Sequence, residues 1–434
     1  MDKMADVLGR AGAWCGQNKY LSAIKNAFQN FMPLTIAGAI GVLWCNVLVN
    51  DQTGLGLFFK PIMALDFLNP AFQAVNFCTI SCITVGITLG IAQEIGIWNM
   101  GAEKAGYIPG LVGLAAWLSV TNTSHMVEGA KAAFTGISGN ELGATGLFTG
   151  MIIGVLSVEL FCFFEKQDAL KIKMPEQVPP GVARAFEVLV PATITLIITA
   201  CIGSACYNLT GLYLNDVIKN GIQGPLGAVG ATIPGVMIIY LVIMLFWLVG
   251  IHGNNMLSAV KEALFTPLAL ENVEKFNKGE KPTNIINMYF LQMCGEFGGS
   301  GVTIGLVIAI MIFGKREDNK AIATLSLVPG LFNINETVTF GIPMVLNPIL
   351  GIPFVFACLV TILVGYVLTV IGFCPVACLT VPWTTPPIVF GFLATGANVM
   401  GAVTQAILIV VSTVIYVPFL IAYEKYQNKQ AAEA

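Results

Sequence analysis

Charge is what this sequence has least of. Only 10% of its 434 residues are Asp, Glu, Lys or Arg, against roughly 25% in an ordinary soluble domain. A chain of this length with so few charges cannot keep its surface wet, which excludes a soluble globular protein. Charge runs are missing as well. The formal net charge is −3, and no basic stripe suited to a phosphate backbone occurs, so nucleic acid is not expected as a partner. Histidine is nearly absent, with His125 and His252 the only two. No Cys-x-x-Cys pair or other metal-ligand spacing occurs, so neither a metal nor a cofactor is expected. Most of the 11 cysteines, among them Cys45, Cys78, Cys82, Cys162, Cys201, Cys294 and Cys358, sit within apolar runs, where a thiol is a small packing group. The N-terminus lacks the apolar core and cleavage site of a signal peptide. With Lys3, Arg10, Lys19 and Lys25 it reads as an interfacial helix on the cytoplasmic side.

What the chain does have is apolar surface. Hydrophobic residues make up 56% and the mean hydropathy is +0.80. The 46 glycines suit close packing of membrane helices. About 20 apolar residues cross a bilayer as a helix. Clear spans are expected near 29–50, 74–96, 142–164, 185–208, 230–251, 351–373 and 402–423. Weaker ones, broken by Gly, Pro or polar residues, lie near 108–121, 285–313, 321–350 and 375–399. The fold class is therefore an all-α integral membrane protein with roughly ten spans plus interrupted segments.

Lys and Arg set the orientation. They collect at the N-terminus, at Lys166, Lys171, Lys173 and Arg184, at Lys261 to Lys281, at Lys315, Arg316 and Lys320, and at Lys425 and Lys429; all are expected on the cytoplasmic side. The loops with Lys60, Lys131 and Lys219 should face outward, and the Lys104 turn inward. The alternation fails at 285–313, where one apolar stretch separates two positive segments. Either this stretch, broken at Gly298-Gly299-Ser300-Gly301, enters and returns, or a re-entrant hairpin lies beside it. Irregular backbone at membrane depth is tolerated only where protein buries it or it lines a cavity, so the failure points to the working part. The polar, proline-bearing linker Lys166 to Val182 suggests a scaffold or oligomerisation part, 1–180, and a substrate part, 181–434.

Four places carry chemistry. The span ending at Trp247 runs into Gly250-Ile251-His252-Gly253-Asn254-Asn255, where glycines let the backbone leave the helix. His252 is either a helix-end residue at the interface or a hydrogen-bonding ligand. The segment Gly330 to Gly341 places Asn333, Asn335, Glu336, Thr337 and Thr339 in apolar surroundings. A carboxylate flanked by amides suits hydroxyl-rich ligands, and no Lys or Arg lies within ten residues of Glu336 to neutralise it. The Gly298–Gly301 cluster follows Glu296 and lacks the GK[ST] ending of a nucleotide loop; close packing is its expected role. Val381 to Pro387 brings three prolines, which exclude a regular helix, with Trp383 offering a flat apolar face and Thr384 and Thr385 hydroxyls. No embedded Lys or Arg stands ready to hold an anion, so a neutral polyhydroxylated ligand is favoured.

These motifs, in this order, resemble the membrane-embedded IIC component of the bacterial phosphoenolpyruvate-dependent sugar phosphotransferase system, closest to its lactose/cellobiose/diacetylchitobiose branch. The resemblance rests on Tyr20 to Ile24 with Met32-Pro33-Leu34, on Gly250 to Gly253, on Gly298 to Gly301, on Phe332 to Glu336, on Asn347-Pro348 and on Pro382 to Pro386, and covers nearly the whole chain. It implies about ten transmembrane helices, two re-entrant hairpins, a homodimer formed through the N-terminal half and an elevator-like movement of the C-terminal half. The sugar, a β-linked disaccharide such as cellobiose or diacetylchitobiose, would cross the bacterial cytoplasmic membrane and be phosphorylated on its C6 hydroxyl by phospho-IIB. By the same resemblance Glu336 would hold that hydroxyl and assist its deprotonation, with His252 beside it. Asn333 and Asn335 would fix ring hydroxyls or the hairpin backbone, Trp247 and Trp383 would wall the sugar, and Asn254 and Thr384 join the binding set. Where the family usually has Pro, this chain has Thr337. The chain ends at Ala434 with no IIB domain following, so a separate IIB protein is expected. Two other readings stand beside this one: an ion-coupled secondary sugar transporter using Glu296, Glu336 and His252 as a relay, and an enzyme acting on a lipid-linked sugar, against which the lack of an Asp-rich motif counts.

Overall fold

The computed structural model describes residues 10, 13–14, 17–51, 55–57, 59–125, 134–175, 177–342 and 344–433. Lys3, Lys131 and most of the amphipathic N-terminal segment lie outside the described residues. Helices dominate because the apolar runs must satisfy every backbone donor and acceptor internally. The main ones are α1 (Lys19–Leu43), α2 (Ile83–Met100), α3 (Ile108–Val120), α4 (Ala144–Glu165), α5 (Pro180–Thr210), α6 (Ile233–Leu248), α7 (Gly253–Met256), α8 (Ser258–Asn277), α9 (Met288–Gly295), α10 (Ile304–Phe313), α11 (Glu317–Leu331), α12 (Glu336–Gly341), α13 (Gly351–Val370), α14 (Val389–Ala394) and α15 (Val399–Glu433). A two-residue antiparallel ladder joins Ser124–His125 to Phe134–Thr135. Among the described residues, five helical runs are long and apolar enough to cross a bilayer, namely Lys19–Leu48, α4, α5, α13 and α15. Two bent pairs add candidate spans, and α3 and α6 are shorter apolar helices. The protein is thus an all-helical, multi-pass membrane protein.

The chain forms two compact units. The first comprises residues 17–38 and 75–228. Small residues let its helices touch backbone to backbone: a Cβ on Gly113 would lie 2.3 Å from the Ala92 methyl, and one on Gly150 2.2 Å from Thr88 Oγ1. Thr149 donates to Asn215 at 2.7 Å, tying α4 to the segment after α5. Glu165, 1% exposed, is met by Lys104 at 2.9 Å and Arg184 at 3.0 Å. The Lys104 turn and the start of α5 at Arg184 therefore meet at the Glu165 end of α4. The linker lies inside this unit, with α5 following it.

The second unit centres on residues 39–74 and 229–434. Here the helices are repeatedly interrupted. The apolar stretch 285–313 is split into α9 and α10, bent by 58°. Between them Gly298, Gly299 and Gly301 all have positive φ, at 66°, 87° and 73°, which side-chain-bearing residues reach only with strain. Further breaks fall at 249–252, 332–335 and 371–388. At one end of the unit, the buried Asn272 amide accepts from the N–H groups of Thr283 and Asn284 and donates to the carbonyls of Asn284 and Ala377. All its main valences are thereby used, as a buried amide requires.

Candidate functional site

Four of the backbone interruptions in the second unit meet. Past the end of α6 the chain turns at Gly250, whose φ is +80°. His252 then caps α7, its Nδ1 accepting from the Asn255 N–H at 3.2 Å. With Nδ1 accepting, the proton of the neutral ring sits on Nε2. Nε2 lies 3.9 Å from Glu336 Oε1, and the two side chains are 38% and 48% exposed. That separation is too long for a hydrogen bond. A ligand oxygen about 2.8 Å from both atoms fits between them, accepting from the imidazole and donating to the carboxylate. Behind the imidazole is Trp247, with ring centroids 4.4 Å apart and Phe354 edge-on beyond it. Trp247 is buried, so it orients the histidine.

Glu336 is carried by a hairpin tip. The chain leaves α11 through Asn333, which adopts a left-handed φ of +62°, a conformation Asn tolerates. Its side chain accepts from the Gly298 N–H at 2.6 Å. It donates to the Trp383 carbonyl and, at 3.1 Å, to the Thr385 carbonyl. One amide thus joins the Gly298 turn, the hairpin tip and the proline-rich loop. Asn335 is buried and donates to the Ser300 carbonyl at 2.8 Å. Both amides are engaged with backbone, of the Gly298–Ser300 turn and, for Asn333, of the proline-rich loop. The glycine cluster serves close packing: a Cβ on Gly299 would lie 2.5 Å from Asn335 Cγ, and one on Gly301 2.5 Å from the Phe354 ring.

The other expected residues fall around this core. Trp383 is 44% exposed, and Thr384 is half-buried on the same loop. Asn254 is half-buried and donates to Ser300 Oγ at 3.0 Å.

One expectation fails. Lys261, read as a cytoplasmic loop residue, lies in α8 and is 6% exposed. It pairs with Glu296 and donates to Asn254 Oδ1 at 3.4 Å, while the Tyr240 hydroxyl donates to Glu296 Oε1 at 2.7 Å. The unit therefore does bury a lysine. Its proximity in sequence to Lys275, Lys278 and Lys281 disguised it as part of a charged loop. Gln405 was also missed. It accepts from the N–H groups of Ile388 and Gly391 and donates to the Met293 carbonyl, fixing the far end of the proline-rich loop. Only its position as a lone amide in an otherwise apolar run could have signalled it.

Residues 25–358 match the family model described as phosphotransferase system, EIIC. The oligo-beta-mannoside-specific EIIC component of Bacillus subtilis (strain 168) is 33% identical over 428 residues, which is 98% of this chain and 94% of that protein. The cellobiose-specific EIIC component of Lactococcus lactis subsp. lactis (strain IL1403) is 29% identical, covering 98% of each. Among solved structures, the transporter ChbC, the IIC component from the N,N'-diacetylchitobiose-specific phosphotransferase system, superposes with a TM-score of 0.88 at 29% identity, over 97% of each chain. The chain belongs to the EIIC family of the phosphotransferase system, in its lactose/cellobiose/diacetylchitobiose branch, and is a multi-pass sugar permease of the bacterial cytoplasmic membrane that works with a IIB partner.

Proposed function

We propose that this permease binds a β-linked disaccharide, cellobiose or diacetylchitobiose in class, between His252 and Glu336, and presents its C6 hydroxyl for phosphorylation. The observation that carries this reading is the 3.9 Å gap between His252 Nε2 and Glu336 Oε1, with both groups open on one side. In the transfer, the C6 oxygen forms the new bond to phosphorus. The bond from phosphorus to the phospho-IIB side chain breaks, its electron pair leaving on IIB, and the hydroxyl proton passes to the Glu336 carboxylate. Such a reaction needs alignment more than covalent help. Trp383 and Thr384 wall the sugar, Asn254 lines its edge, and Trp247, Asn333 and Asn335 hold the groups that touch it.

In this reading the unit holding 229–434 carries the sugar by an elevator-like movement, and residues 75–228 form the scaffold, through which two copies dimerise. We take α5 with the scaffold rather than dividing near residue 180, a choice supported by the Arg184–Glu165 and Thr149–Asn215 contacts with α4. The N-terminus lies on the cytoplasmic side, on the strength of the Lys and Arg bias. Pairing of Glu296 with Lys261 counts against a Glu296–Glu336–His252 proton relay.

A binding screen of the purified protein against cellobiose, diacetylchitobiose, lactose and glucose tests the substrate class. Binding of a β-linked disaccharide with loss of affinity in His252→Ala is the expected result. Selective binding of glucose alone would overturn the substrate assignment.

A further inference from the structure

Glu296 and Lys261 have no part in holding the sugar in the mechanism above, yet they form a buried ion pair with further polar partners. The pair joins four stretches of chain. Tyr240 brings α6 to Glu296. Lys261 brings α8 to the same carboxylate. Lys261 also reaches Asn254 of α7, and Asn254 bonds to Ser300 in the glycine turn. Both ends of the catalytic gap hang from these stretches. His252 immediately precedes α7, and Glu336 follows Asn335, which is bonded to the Ser300 carbonyl.

An isolated buried charge is expensive, and a buried pair gains little over apolar residues of the same volume. Retention of such a pair beside a phosphoryl-transfer site calls for another reason. A sugar is neutral, but the phosphoryl group arriving from IIB is anionic. Glu336 already places one carboxylate at the point of transfer. A second uncompensated carboxylate at Glu296 would repel the incoming group without affecting a neutral sugar in the same way.

We infer that Lys261 is a positioning residue for phosphoryl transfer that acts through Glu296, whose charge it cancels beside the site. The inference rests on the proposed role of Glu336 and His252. It separates two quantities. Sugar affinity should depend weakly on Lys261, and the phosphorylation rate strongly. For an assumed separation of roughly 8–10 Å and an effective dielectric constant of about 20, a unit charge corresponds to about a 15- to 35-fold change in rate.

The test uses the full-length permease with phospho-IIB, reading disaccharide affinity by equilibrium binding of radiolabelled cellobiose and diacetylchitobiose, and kcat by sugar phosphate formation. Lys261→Met is expected to lower kcat about 15- to 35-fold while the binding constant moves less than about 3-fold. Lys261→Met/Glu296→Gln, which removes both charges, should recover most of the rate. Should Lys261→Met misfold, the double variant alone decides: near-wild-type kcat supports the inference, and a kcat as low as that of a Glu336 variant with intact binding overturns it. Equal losses of affinity and rate in Lys261→Met, unrelieved in the double variant, would reduce the pair to a structural strut. A wild-type protein that binds neither disaccharide would instead overturn the proposed function, and the inference with it.

Discussion

Asn333→Asp exchanges one NH2 group for an oxygen and so tests the hairpin architecture with almost no change in shape. The Asn333 amide donates to the Trp383 and Thr385 carbonyls and accepts from the Gly298 N–H. Aspartate keeps the acceptor to Gly298 and strengthens it by charge. It also turns both donor contacts into oxygen facing oxygen. Each lost bond is worth about 1 kcal/mol net, and each carbonyl left unpartnered costs about 1–3 kcal/mol. Set against the stronger Gly298 bond, the net loss is about 3 kcal/mol, which lowers affinity by up to about 100-fold if the sugar binds only the assembled site. The sign with pH follows. Two facing carbonyls disfavour the charged carboxylate and raise its pKa, so the protonated form, which can donate one bond, gains as pH falls. Affinity in the aspartate variant should therefore recover between pH 8 and pH 5. Asn333→Gly, which keeps the left-handed backbone, should lose affinity without that recovery. Titration calorimetry of the detergent-solubilised variants with the screened disaccharide reads both effects. Wild-type affinity in Asn333→Asp at neutral pH would refute the reasoning, because a carboxylate that contacts sugar hydroxyls directly loses nothing by the exchange.

Three further outcomes follow from the same geometry. Gly299→Ala should abolish sugar binding at normal membrane insertion, since its Cβ would lie 2.5 Å from Asn335 Cγ at a φ of +87°; retained binding would show that the turn can relax. Thr337→Pro should keep at least half of the transport activity in vesicles, because Thr337 lies in the first turn of α12, where an N–H has no intrahelical acceptor; an uninserted protein would contradict this. Glu336→Gln should leave measurable sugar binding while phosphorylation falls by about 100-fold or more, the usual scale for a positioned acid–base group; an unchanged rate would remove Glu336 from proton transfer.

Much of this site could be read from residue order, for a physical reason. Membrane interiors tolerate polar residues and broken helices only at cost, so His252, Glu336 and the Pro382–Pro386 loop stood out against their apolar surroundings. The glycine cluster was readable as a packing element because it lacks the GK[ST] ending of a nucleotide loop, while its three positive φ angles emerged only from the structure. Lys261 was not readable, because its charge is cancelled by Glu296, 35 residues away in sequence. No local pattern reports such a pairing. The division of Asn333 and Asn335 between sugar and backbone was likewise closed to sequence reading, since an amide's partners depend on carbonyls at Ser300, Trp383 and Thr385 that only folding brings near. The packing around the linker was closed to composition as well: Arg184 at the start of α5 pairs with Glu165 of α4, and Asn215 beyond α5 accepts from Thr149 of the same helix, contacts that residue order does not show.

The central claim is that Glu336 holds the sugar hydroxyl that receives the phosphoryl group, and a double cycle between protein and ligand tests it most directly. Binding of cellobiose and of its 6′-deoxy analogue would be compared in the wild-type protein and in Glu336→Gln. A hydrogen bond between that hydroxyl and a carboxylate should give a coupling of about 1.5–3 kcal/mol: deleting the hydroxyl weakens binding to the wild type by about 10-fold or more and changes binding to the variant little. Additive losses, with the same penalty for the deoxy sugar in both proteins, would place the C6 hydroxyl away from Glu336 and contradict the account.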